Sequence, residues 1–78
     1  MFGCVKRNIM LRPNQVQDFV NAATKCDFDV DIYYNRYVVD AKSILGVFGL
    51  DLSQILTVEY RGYNSDFENY LQKLAIAS

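Results

Sequence analysis

Histidine is absent from the 78 residues, and proline occurs once, as Pro13. Without imidazole the chain lacks the side chain whose ordinary pKa lies nearest neutrality and which most often serves as a proton carrier or metal ligand. Cysteine is scarce as well. Cys4 and Cys26 stand far apart, with no C-x-x-C spacing and no histidine to complete a zinc set. They read as reduced, structural thiols of a cytoplasmic protein rather than as a disulfide, and no metal or cofactor is expected. An excess of basic charge is missing too: eight Lys and Arg against nine Asp and Glu leave a net charge of −1, with a pI near 5.1. Domains that bind nucleic acid usually exceed a pI of about 9. Apolar runs such as "ILGVFGL" fall far short of the roughly 20 residues of a membrane span. The N-terminal "MFGCVKRN" puts its charges after its apolar residues, the wrong order for a secretory signal. Nucleic acid, membrane and enzyme catalysis are therefore not expected.

What the chain has is apolar surface to bury. Hydrophobic residues make up 51% and aromatics 14%, enough for a core at a length where about 60% of the unfolded surface is buried. One domain over residues 1–78 is expected, since no repeat, linker or low-complexity tract interrupts the sequence. "FGCVK" is short and strand-like. From Pro13, the residues Val16, Phe19, Val20 and Ala23 recur at helical spacing. Proline suits a first turn because its missing N–H would find no partner there. That helix begins near Arg12–Pro13 and fades by Lys25–Cys26.

"DVDIYY" alternates Val30, Ile32 and Tyr34 against Asp29, Asp31 and Tyr33, the pattern of a half-buried strand. Asn35–Arg36 make a tight turn into a second strand, "YVVDA". Ser43 stands before "ILGVFGL" and is a favoured N-cap for a brief helix. "QILTVEYRG" alternates again, with Leu56, Val58 and Tyr60 on one face. In "SDFENYLQKLA", Ser65 and Glu68 form an S-x-x-E capping box, and Phe67, Tyr70, Leu71 and Leu74 give the inward stripe. The order β-α-β-β-α-β-α implies an α+β, open-faced sandwich: a four-stranded antiparallel sheet covered on one face by helices.

Two segments resemble the HPr family, the small phosphocarrier proteins of the sugar phosphotransferase system. The family's active-site loop runs Gly-Leu-His-Ala-Arg-Pro into its first helix; here Asn8, Ile9, Met10, Leu11, Arg12 and Pro13 match it. The family's regulatory segment is Lys-Ser, two aliphatics and Gly; here it reads Lys42, Ser43, Ile44, Leu45 and Gly46. With the element order, the resemblance covers nearly the whole chain, and the second motif is the more specific. The first strand with its loop, and the turn "DLSQ", are shorter than the family pattern. The carrier histidine falls on Met10. A thioether is neither a nitrogen nucleophile near neutral pH nor able to form the labile P–N bond, and no other histidine can substitute.

The resemblance implies a regulatory, protein-binding domain without phosphocarrier activity, in carbon catabolite control. Its implied partners are an HPr kinase/phosphorylase and a transcriptional regulator or sugar-transport enzyme. Ser43 corresponds to the serine that an ATP-dependent kinase modifies in the family; otherwise it is a plain N-cap. Arg12, at a helix mouth with free N–H groups, is either an anion-binding residue or a solvated loop residue. A short helix cannot bury Ile44, Leu45, Val47 and Phe48 together, so some of Ile44, Leu45 and Phe48 stay exposed for a partner, with Lys42 beside them and Met10 extending the patch. Two other readings remain open: a relay component with an unrecognised acceptor, and a module used outside sugar transport. The chain is expected to be a monomer or a weak homodimer. The six tyrosines could suggest base stacking, but β propensity explains them without a basic stripe. Asp27, Asp29 and Asp31 read as a solvated face.

Overall fold

The computed structural model describes residues 3–76. Strand β1 (Val5–Ile9) leads through a 3₁₀ turn (Pro13–Gln15) into helix α1 (Val16–Thr24). Strands β2 (Val30–Tyr34) and β3 (Tyr37–Asp40) form a hairpin, followed by the short helix α2 (Ile44–Phe48), strand β4 (Leu56–Tyr60) and helix α3 (Ser65–Leu74). The sheet order is β1-β4-β2-β3, with every pair antiparallel. The helices pack on one face, as the element order implies.

The alternation in β4 decides where that face lies. Leu56, Val58 and Tyr60 are all buried, and they meet Val30 and Ile32 of β2 and Ile9 of β1. From α1 come Val16, Phe19, Val20 and Ala23, and from α3 Phe67, Leu71 and Leu74. Tyr70, expected in that stripe, is only half-buried. Phe67 joins the two helices to the sheet, its ring 6.4 Å from Phe19 and 5.4 Å from Tyr60. Such aromatic pairs contribute about 0.5–1.5 kcal/mol beyond their buried area. Gly62 follows β4 with φ +155°, and a Cβ there would lie 2.3 Å from the Phe28 ring. Phe28 thereby stays stacked on Tyr60 at 5.6 Å. Cys26 is buried against this core, and burial pushes its thiol up; Cys4 is exposed.

Two sequence expectations are corrected. The first strand was expected over "FGCVK", whose Phe2 lies outside the described residues; it runs instead from Val5 to Ile9, paired Val5 to Tyr60 and Ile9 to Leu56. Its polar stretch hides it. Lys6 and Asn8 face outward, while Arg7 donates to Glu68 Oε1 on α3 at 3.1 Å. The second correction concerns α3. Its N-cap is Asn64, whose side-chain oxygen accepts from Phe67 N at 3.0 Å, so Ser65 and Glu68 form no capping box. Glu68 turns back to the sheet, where it also accepts from the Tyr60 hydroxyl. Burial, then this hydrogen bond, push the Tyr60 phenol up to about 12, while Arg7 acts the other way.

On the open face of the sheet, Asp31 lies directly opposite Asp40 on one side and Glu59 on the other. Among the described residues Lys6, 3.9 Å from Glu59, is the one cation ion-paired with the row, while the Tyr33 hydroxyl donates to Glu59 and the Lys42 N–H to Asp40. Desolvation and then the charges of Asp40, Asp29 and Glu59 raise the Asp31 carboxyl above its ordinary range. A raised folded-state pKa means that the folded chain holds this proton more tightly. The associated stability is fully present below the unfolded value, near 3.9, and is lost as pH rises through the folded one. Asp31→Asn is expected to stabilise the fold at pH 7 by roughly 0.2–1 kcal/mol. In urea melts the gap between variant and parent closes as pH is lowered towards 4. A gap that widens on acidification contradicts this account.

Ser43 caps α2 as expected: its hydroxyl oxygen accepts from Gly46 N at 3.2 Å. Replacing Ser43 with Ala should lower stability by about 1 kcal/mol in the same melts, whereas Asp, which keeps an acceptor there, should preserve it.

Candidate functional site

The stretch after β1 is held from two sides. Met10 donates its N–H to the Leu74 carbonyl at 3.2 Å, and Ile76 donates to Asn8 O at 3.1 Å. Leu11 drops into the core. Arg12 N donates to Gln15 Oε1 at 2.9 Å, and Gln15 N returns a bond to Arg12 O at 2.8 Å. The sequence reading gave this helix mouth free N–H groups. The structure narrows that expectation, since Gln15 takes the Arg12 N–H and Pro13 has none to offer. What remains for an anion is the N–H of the exposed Asn14 and the exposed Arg12 guanidinium, which has no hydrogen bond or ion pair among the described residues.

Met10, 41% exposed, and Arg12 open onto a cavity of about 760 Å³. Leu52, Ser53 and Lys73 complete its polar and apolar rim. These three were not foreseen. Lys73 reaches the cavity because α3 ends against β1, and Leu52 and Ser53 because the segment after α2 returns beneath Met10; both are long-range placements. The only local signal is that Lys73 occupies the last turn of α3. Asp51 organises the segment by accepting from Ser53 N, Ser53 Oγ and Gln54 Nε2. Those bonds, with the Ser53 hydroxyl first, hold the Asp51 carboxyl below its ordinary range.

The second group sits on α2. Leu45 is 82% exposed and Phe48 49%, while Val47 is buried and Ile44 half-buried. One face of a five-residue helix meets the core and the other is left to solvent, as the apolar run required. Gly46 leaves room beside the cap: a Cβ there would sit 3.2 Å from Ser43 Oγ and 3.3 Å from Val39. Lys42 is less available than expected. Its ammonium donates to Cys26 O at 2.9 Å and its N–H to Asp40 Oδ1 at 2.8 Å, so it ties the α2 segment to the carbonyl end of α1.

Met10 and Arg12 thus share one cavity, and Ser43, Ile44, Leu45 and Phe48 share one short helix, but no α2 side chain lines that cavity. Among the described residues, no cluster of three or more Cys, Asp or Glu side chains could hold a metal ion. Among the same residues, no helix is long and apolar enough to cross a membrane.

Comparison with known proteins agrees with this architecture. No curated protein matches the chain. A crystal structure of a phosphocarrier protein HPr from Bacillus anthracis str. Ames superposes with a TM-score of 0.63 at 24% identity, covering 95% of this chain and 93% of that one. At that identity the likeness speaks for the fold. The family model for the PTS HPr component phosphorylation site matches residues 6–77. Proteins of this family are carriers rather than enzymes, and they act through contacts with other proteins of the phosphotransferase system. This chain belongs to the HPr family.

Proposed function

We propose that the chain is a regulatory, protein-binding domain of the HPr family that carries no phosphoryl group on nitrogen. One observation carries this reading: a chain of this family has no histidine; the resemblance of its loop to the family's puts Met10 at the carrier position, beside Arg12 and Pro13. A phosphocarrier needs a nucleophilic nitrogen whose bond to phosphorus is labile. Methionine sulfur has no proton to lose.

The surface offered to a cytoplasmic partner comprises Met10, Arg12, Ile44, Leu45 and Phe48. Lys42 serves it by anchoring the segment on Cys26. The exposure of Leu45 and Phe48 supports a docking role, since apolar clusters on a surface tend to mark partner sites. Phosphorylation of Ser43 by an HPr kinase/phosphorylase is the proposed control. The hydroxyl is exposed and already accepts from Gly46 N, so phosphate oxygens can take over that bond. A charge of about −1.5 to −2 added there changes the surface more than the fold. The downstream partner is a transcriptional regulator or a sugar-transport enzyme in carbon catabolite control.

Incubation with phosphoenolpyruvate and the relay's first enzyme should leave the chain unlabelled, and Met10→His should gain acid-labile label. Transfer to the unaltered chain overturns the reading. Incubation with ATP and the kinase should label Ser43 and leave Ser43→Ala blank; a blank parent chain removes the control but not the binding role.

A further inference from the structure

The two edges of the sheet differ. Along β1 the outer edge is closed by the end of the chain: Met10 N donates to Leu74 O, Ile76 N donates to Asn8 O, and Ile9 bridges Ala75. Along β3 no further strand pairs with the edge among the described residues, and α2 adjoins it only at the Val39–Asp40 end. Edge strands are usually blunted by proline, an outward lysine or a bulge. β3 has none of these; it is kept only short, at four residues ending in Asp40, and it exposes Tyr37 by 62% and Val38 by 57%.

The backbone phase of this edge follows from the hairpin. Asn35, at φ +52°, and Arg36 form a two-residue turn, so Tyr34 and Tyr37 exchange both backbone bonds, as do Ile32 and Val39. The N–H and C=O of Val38, and the N–H of Asp40, therefore point away from β2. The Asp40 carbonyl already accepts from Ser43 N at 3.0 Å.

We propose that the β3 edge pairs antiparallel with the β3 edge of a second copy of this chain, about a two-fold axis at Val38, joining two sheets into one of eight strands. In this register Val38 faces Val38 of the second copy, and the two exchange both backbone hydrogen bonds. Tyr37 lies opposite Val39 of the second copy. One step further out, Arg36 lies opposite Asp40 of the second copy, where the Asp40 N–H meets the Arg36 carbonyl. The edge is thus its own complement at Val38 in hydrogen bonding and apolar contact, and at its two ends in charge.

The charge match favours a second copy over a foreign strand. Neither Arg36 nor the second carboxylate oxygen of Asp40 has an ion-pair or hydrogen-bond partner among the described residues. Asp40 also ends the row Asp40–Asp31–Glu59, so two guanidinium groups, one at each end of the shared seam, relieve like-charge pairs that each monomer leaves standing. A four-residue edge makes a small interface, well under the usual 1,600 Å² or so. The dimer is correspondingly weak, in the upper micromolar range, and weakens as salt is added. The Asp40 end of this edge adjoins the Ser43 cap through the Ser43 N–H, but neither Met10 nor Ser43 takes part in the pairing, so the proposal does not rest on the regulatory reading.

Sedimentation velocity from low micromolar to millimolar protein, with amide shifts recorded over the same series, tests it. The parent chain should self-associate, with the shifts centred on Arg36 to Asp40. Arg36→Glu, at an exposed turn position, places like charges opposite each other and should weaken association roughly tenfold or more. Val38→Pro removes only an outward N–H, a change edge strands tolerate, and should abolish the dimer. If circular dichroism shows the proline variant unfolded, Arg36→Glu decides alone. A parent chain that stays monomeric at millimolar concentration overturns the proposal, as does association that Arg36→Glu leaves unchanged. Shifts centred instead on Leu45, Phe48 or Met10 overturn it too.

Discussion

The fold depends on β4 lying between β1 and β2 with its alternate residues buried. Leu56, Val58 and Tyr60 give the helix layer a floor, and a shift of one residue in register would turn all three to solvent. Ile9 is aligned with Leu56 by that pairing, which fixes where β1 ends and where Met10 emerges. The position of Met10 beside the end of α3 is therefore a consequence of sheet register rather than of the loop's own preferences. The tie of Glu68 to Arg7 and Tyr60 works on the same strand pair, and it brings α3 against the sheet end opposite the hairpin.

Much of this was legible in the sequence. The helical spacing from Val16, the alternation in β2 and β4, the Asn35–Arg36 turn and the Ser43 cap all rest on contacts within a few residues. β1 was misplaced because its outward side chains, Lys6 and Asn8, are polar and its one inward charge, Arg7, is satisfied by a residue 61 positions away. The cap of α3 was misassigned by one residue for a related reason. Asn64 competes with Ser65 as a local acceptor, and Glu68 fits a capping box in spacing but is claimed by the sheet. Local rules find a residue that can do a job; tertiary contacts decide whether it is free to do it.

The candidate site divides along the same line. Exposure of Leu45 and Phe48 follows from the geometry of a five-residue helix and was foreseen. The cavity rim at Leu52, Ser53 and Lys73 was not, because three separate segments meet there. Lys42 shows the reverse case: a cation that reads as surface charge in the sequence is occupied at the end of α1. Arg12 keeps an exposed guanidinium, but its own N–H is taken by Gln15, which thins the set of backbone donors at the helix mouth.

The unequal placement of the two thiols has a practical side. Cys26 is packed in the core, where burial holds its sulfur in the protonated, unreactive form, whereas Cys4 stands in solvent ahead of β1. Alkylating reagents attack the thiolate, so a folded molecule offers them a single handle. A fluorophore or spin label fixed at Cys4 would report from the sheet side of the molecule without a cysteine having to be engineered in or out, and any labelling of Cys26 would itself register unfolding.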